Sequence, residues 1–289
     1  VTDFWAMVFN PSSVDRLLHV WIGSFLAGAF LVLSVNAYYI LKKRHLNIAK
    51  PAFKIALLVA TVFSVAQLFM GHRSADGVSK NQPAKLAALE GHYDSTAVAD
   101  MYLFGWVNNE TQTTTGLKIP GGLSFLIHGD FEKEVIGLNA FNPEDRPTQV
   151  NAIFQFYHLM VAIGLALIAL TLYASWQWRK GKLFDKRWLM SIFVWSVLLP
   201  QIANQVGWFA AEMGRQPWVV YGHLRTSDAL SKAVSANQIL FSLILFVLVY
   251  STLFVLFLYL LNKKIKHGPD DDSAPEPIGD GSKRINPFL

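Results

Sequence analysis

The chain has 289 residues, 53% of them hydrophobic and only 16% charged, whereas a soluble chain carries about a quarter charged residues. Nine Trp and 21 Phe deepen the apolar excess, so the composition is that of a membrane protein. With no cysteine, disulfides, thiolate-bound metals, iron–sulfur clusters and thioether-linked haem are excluded, and any metal or haem must be held by His, Met or carboxylate. The net charge of +5 does not signal nucleic-acid binding, because the basic residues sit in short clusters beside apolar segments, as topology signals do.

The chain opens on VTDFWAMVFN, which has no initiator Met, no basic leader and no small-residue cleavage site. It does not read as a signal peptide, and the expectation is a processed N-terminus or a piece of something longer. Five segments then have the length a bilayer core of about 30 Å demands: residues 15–42, 53–71, 152–175, 189–211 and 236–262. No strand alternation of comparable length competes with them. The expected fold is therefore all-α, a polytopic membrane helix bundle of five spans with a long loop, 72–151, between the second and third.

In the first span, RLLHVWIGSFLAGAF, His19 is followed at i+4 and i+8 by Gly23 and Ala27 on the same helical face. In the third, FQFYHLMVAIGLALIAL, Met160 stands one turn before Gly164. An imidazole and a thioether, each above a glycine that lets a flat macrocycle lie close, can be the axial pair of a low-spin haem. Spacing alone leaves His19 as an interfacial residue and Met160 as packing equally open, and His158 is an alternative ligand. Between these spans, AKLAALEGHY should form a short helical turn in which Lys85 and Glu90 stand beside aromatics. That suits a ligand with a polar head and a flat ring, or else a charged turn lying on the membrane.

The fourth span ends IANQVGWFAAEMGRQPW. Pro200 should bend it, Asn204, Gln205, Trp208 and Glu212 form one polar-aromatic stripe, and Gly214 should end the helix. Arg215, three residues beyond Glu212, can pair with it. The alternatives for Glu212 are a structural ion pair or a carboxylate that holds metal or carries protons, since acids at membrane depth are costly and usually functional. After the fifth span comes a Pro/Gly/Asp-rich tail, 263–289, expected to be disordered. The clusters KKRHLNIAK, WQWRKGKLFDKRW and NKKIKHG all fall on one side of a five-span alternation. The positive-inside rule makes that side cytoplasmic, with the N-terminus and the 72–151 loop outside. The loop itself is acidic, with ten Asp/Glu against six Lys/Arg.

Four motifs together, RLLHVWIGSFLAG, AKLAALEGHY, FYHLMVAIG and GWFAAEMGRQPW, resemble subunit I of the cytochrome bd-type quinol oxidases over residues 5–262. The resemblance implies a haem- and quinol-binding membrane domain over 1–262, with 72–151 as the quinol loop. It makes His19 and Met160 axial ligands of a low-spin haem b, and Lys85 and Glu90 quinol-binding residues. Glu212 would ligate one of two high-spin haems, one of them haem b and the other haem d or a second haem b. Trp208 would lie between haems, and Arg215 and Gln216 would shape that region. The implied reaction is quinol oxidation coupled to reduction of oxygen to water in a bacterial or archaeal cytoplasmic membrane. The implied partners are oxidase subunit II, membrane lipids, and a chain (or an earlier part of this one) carrying the family's first helices. A small single-helix subunit is a candidate partner, and no nucleic acid is expected. Two departures accompany the resemblance: those first helices have no counterpart here, and His158 stands where many relatives carry Arg. Competing expectations are a bd-like subunit with another electron acceptor, a transporter subunit using Glu212, Asn204 and Gln205, and a haem-free anchor.

Overall fold

Where the chain leaves an apolar run, charges, Gly and Pro mark the joints of a helical structure seen in a computed structural model, which describes residues 3–10, 12–231 and 233–269. The tail beyond 269, part of the segment expected to be disordered, lies outside the described residues. Residues 1–234 form one compact unit and 235–289 a second.

The first unit starts with a short helix α1 (Phe4–Val8), capped by the Asp3 carboxylate, which accepts from the backbone N–H of Trp5 and Ala6. Two long helices follow, α2 (Ser13–Leu41) and α3 (Leu46–Asn81), packed side by side. At 36 residues α3 is about 54 Å long, well beyond a bilayer core. The hydropathy window ended near 71, but ion pairs carry the helix further: Arg73 meets Asp15 of α2 at 3.0 Å, and Lys80 meets Asp76 one turn earlier. At its other end Lys50 and Lys54 lie over the Phe184 ring, which keeps their charges at the helix terminus.

Helix α4 (Pro83–Glu90) is punctuated at both ends, by Pro83 in its first turn and by Gly91 in the left-handed conformation after it. Gly91 is doubly required, because a Cβ there would also lie 2.8 Å from both Thr114 Oγ1 and Val107 Cγ2. Those two residues belong to an antiparallel hairpin, β1 (Met101–Asn108) and β2 (Thr113–Ile119), in register Met101↔Ile119 to Asn108↔Thr113. It is an addition to the expected helical frame. A short α5 (Gly122–His128) completes this connection.

Helix α6 (Val150–Arg179) packs on α3 and α4. The hairpin is fastened to it by side chains at i, i+4 and i+7. Asn151 Oδ1 accepts from Val107 N, Gln155 Nε2 donates to Gly105 O, and His158 Nε2 lies 2.7 Å from Tyr102 O. Deeper in the α3–α6 interface, Thr61 and Ser175 hydroxyls meet at 3.0 Å and Ser64 faces Thr171, contacts worth about 0.6 kcal/mol each between membrane helices.

The fourth span is two helices, α7 (Arg187–Trp195) and α8 (Leu198–Gly214). Pro200 accounts for the break, because its ring cannot pass the carbonyl four residues back, at Ser196. Ser196 instead accepts from Leu199 N. Helix α8 ends at Gly214 as its sequence implies, and a two-rung hairpin, β3 (Trp218–Val220) and β4 (Leu224–Arg225), follows. In the core Phe30, Phe53, Phe154 and Phe193 are fully enclosed.

The second unit is one helix, α9 (Ala236–His267), started by a Ser235–Gln238 capping box and ended by Lys264, Lys266 and His267. It runs five residues past the expected tail boundary of 262, since basic side chains suit a helix C-terminus. Among the described residues, five helical segments are long and apolar enough to cross a membrane: Ser13–Leu41, Leu46–Asn81, Pro143–Arg179, Arg187–Gly214 and Ala236–His267.

Candidate functional site

The charged residues of α4 are buried. Lys85 is 7% exposed and Glu90 2%, which rules out a turn lying on the membrane with its charges in water. Burial above all draws the Lys85 ammonium down to about 8, helped by the nearby cations of Arg16 and Arg215 and opposed by Glu212. Burial pushes the Glu90 carboxyl up to about 7, with a hydrogen bond from Tyr157 pulling the other way. Two groups normally charged far from neutrality are thus both brought near it.

The α4 helix is seated on the end of α8. The Lys85 stem crosses Gly214 so closely that a Cβ there would lie 3.2 Å from Lys85 Cγ. Gly214 therefore does more than end its helix; it leaves the room through which Lys85 approaches Glu212 and Arg215. The expected Glu212–Arg215 pair is present, with Arg215 Nε and Nη2 each 2.7 Å from Glu212 Oε2. Arg215 Nη1 also donates to Trp218 O. Gln216 Nε2 reaches back to Glu212 O at 3.4 Å, and its Oε1 accepts from Thr226 Oγ1. Further out, Tyr221 bonds the Ala84 backbone, and Arg225 pairs with Glu144 and Asp145 while stacking on Trp218. Hence Lys85, Glu212, Arg215 and Gln216, distant in sequence, form one polar cluster at one end of the bundle.

On α8 the stripe is open rather than packed. Trp208 is 58% exposed, Asn204 and Gln205 are exposed, and Glu212 is half-buried.

Met160 and the turn of α2 that follows His19 both meet α8. A Cβ on Gly23, one turn from His19, would meet Asn204 Oδ1 at 2.9 Å. A Cβ on Gly207, three residues beyond Asn204, would lie 2.5 Å from Met160 Sδ. The glycine that makes room for the thioether is therefore Gly207 of α8, whereas Gly164 faces open space. The His19 ring is turned to α3, where Gln67 Nε2 lies 3.1 Å from its Nε2 and 3.3 Å from its Nδ1. His158 is engaged differently: its nitrogens face the carbonyls of Phe154 at 2.9 Å and Tyr102 at 2.7 Å, and its ring stacks on Phe154. Both ring nitrogens are thus taken up by backbone carbonyls, which favours Met160 over His158 as the donor.

Among the described residues no three His, Asp or Glu converge as a metal cage. The donors, one imidazole and one thioether from different helices, suit a haem better than a bare ion. Gly207 tests this directly. A Gly207→Leu change should push Met160 Sδ aside and lower low-spin haem content at least severalfold in the purified complex, read from the reduced spectrum. Overpacking of this kind also costs about 1–3 kcal/mol of stability.

The model of the cytochrome bd terminal oxidase subunit I family matches residues 1–269. The chain belongs to that family. It is 31% identical over 283 residues to cytochrome bd ubiquinol oxidase subunit 1 of Bacillus subtilis, covering 94% of this chain and 60% of that protein. It is 27% identical to cytochrome bd-II ubiquinol oxidase subunit 1 of Escherichia coli, covering 96% and 66%. Among solved structures, the bd oxidase from Geobacillus thermodenitrificans matches with a TM-score of 0.82 at 29% identity, over 92% of this chain and 61% of that one. The chain thus spans less than two thirds of each relative's length. Family membership and five candidate spans among the described residues make it a membrane protein of that family.

Reasoning from sequence missed Gly207, Gln67 and Tyr157. Gln67 was detectable as an amide in an apolar span, and Gly207 as the next step along the Asn204 face; Tyr157 carried no such signal.

Proposed function

We propose that this chain is the quinol-oxidising, haem-binding part of a bd-type terminal oxidase. The observation that carries the reading is the pair of buried ionisable groups, Lys85 and Glu90, on a short helix stacked against the Glu212–Arg215 motif. A cation near 8 and a carboxyl near 7 are matched to proton transfer at neutral pH. Lys85 would hold a quinol oxygen and stabilise the negative charge that grows on it. Glu90, once ionised, would take the hydroxyl proton. Oxidation of two quinols releases four protons and four electrons, which match the reduction of one oxygen molecule to two waters.

His19 and Met160 would be the axial ligands of a low-spin haem b, and Glu212 would ligate a high-spin haem, its charge balanced by Arg215. When bound, the haems, a low-spin haem b and two high-spin haems of which one is haem b and the other haem d or a second haem b, supply electron acceptance and oxygen binding. Trp208, Asn204 and Gln205 support the reading, because polar and indole groups exposed on a membrane helix are costly unless a cofactor or another polypeptide covers them. The covering partner would be the part of subunit I that precedes this segment in relatives, with subunit II completing the complex. By the positive-inside rule the Lys/Arg clusters support a Lys85–Glu90 end at the outer face of a cytoplasmic membrane.

The test is a reduced-minus-oxidised difference spectrum of the purified complex with quinol as reductant. Bands of b-type haem, joined by a red-shifted chlorin band if the third haem is d, are expected. A colourless preparation would end the proposal.

A further inference from the structure

The buried carboxyl of Glu90 has two oxygens with different surroundings. Its Oε2 is buried and has no hydrogen-bond partner in the protein, an arrangement that is rare for a buried acid and points to a group yet to arrive. The side chain whose hydroxyl faces this carboxyl is Tyr157, which reaches it from α6. Tyr157 packs against the enclosed cluster formed by Ala87, Ala88 and Leu89 of α4 with Phe154 and Ile153 of α6. Its ring is met edge-on by His158, with centroids 5.2 Å apart and planes at 86°. His158 is in turn fixed by the Tyr102 and Phe154 carbonyls. The tyrosine is therefore held on two sides, by α4 and by a histidine that the β1 hairpin locks in place.

We infer that Tyr157 is a positioning residue for quinol oxidation: its hydroxyl donates to one oxygen of the Glu90 carboxyl and so presents the partnerless oxygen to the quinol hydroxyl. The inference rests on the quinol reading of Glu90. Rotation about the terminal bond of a glutamate is soft, and a single donor from a neighbouring helix fixes which oxygen faces the substrate. A bond of this kind to a carboxylate is among the stronger hydrogen bonds in a protein. Tyr157 touches Glu90 rather than substrate, so its removal should slow proton transfer more than it weakens binding.

Tyr157→Phe removes one atom and leaves the ring that packs on α4. In the purified complex, compared with wild type and Glu90→Gln, it should lower kcat for quinol oxidation about tenfold, with KM within about twofold and an unchanged haem spectrum. Infrared spectroscopy supplies a readout independent of turnover. The carboxyl C=O stretch, identified by its loss in Glu90→Gln, should move to higher frequency in Tyr157→Phe as the hydrogen bond disappears. An unmoved band with wild-type kcat overturns the inference, as does a variant that loses haem, which would make Tyr157 merely structural. Full activity in Glu90→Gln would instead remove the quinol reading itself. A crippled Glu90→Gln beside a wild-type-like Tyr157→Phe would sink the tyrosine's role alone.

Discussion

Replacing Met160 with leucine should abolish the low-spin haem signal, or convert it to high spin, while leaving the high-spin haems largely intact. Leucine is close to methionine in volume, and such swaps in packed interiors cost under about 1.5 kcal/mol. The helix should therefore survive, and the only chemical loss is the thioether donor. Met160 Sδ lies over Gly207, with no room for even a methyl group between them, so no neighbouring side chain of α8 can move in at that point. His158 cannot substitute easily, because it would have to leave the Phe154 carbonyl and the Tyr102 carbonyl, one of the hairpin's three side-chain ties to α6. Spectra of the reduced complex, with high-spin and low-spin contributions separated, check the result. An unchanged low-spin band would remove Met160 from the ligand set.

Glu90→Gln should reduce quinol oxidation by about 10²–10⁴-fold, the usual worth of a positioned proton acceptor, without loss of any haem. Its pH behaviour follows from burial. The carboxyl is neutral below about 7 and ionised above it. Proton acceptance should therefore be present above that value and fade as pH falls through it, and the variant should lack this limb of the profile. The linkage to stability has the opposite sense. Between the ordinary carboxyl value of 4.5 and about 7 the folded protein holds a proton that the unfolded chain has released, so this group's contribution to stability declines as pH rises through that window. Steady-state rates against pH, with haem content measured alongside, decide the point. Full activity in the variant would count against the role.

The helical frame was readable in the residues because five apolar runs of bilayer length leave few alternatives. Their limits were harder. Helix α3 extends to Asn81 because Arg73 and Lys80 find carboxylate partners, which a hydropathy window counts only as charges. The β1–β2 hairpin escaped notice since β1 alternates poorly: Phe104 and Trp106 are exposed while Val107, on the other face, is its one buried residue. What holds the strand is hydrogen bonding from Asn151, Gln155 and His158, a helical spacing that belongs to α6.

The Glu212–Arg215 pair and the end of α8 at Gly214 were legible, as both are local. The approach of Lys85 to Gly214, the seat of Met160 on Gly207 and the approach of Tyr157 to Glu90 were not. Each joins positions more than 40 residues apart, and nothing in a single sequence records such a distance.

A density map of the intact complex tests the central claim most directly. The account predicts a planar macrocycle whose iron is ligated by the imidazole of His19 on one side and the thioether of Met160 on the other, with α4 beside it. Apolar side chains closed against one another in that space, or iron gripped by other residues, would contradict it.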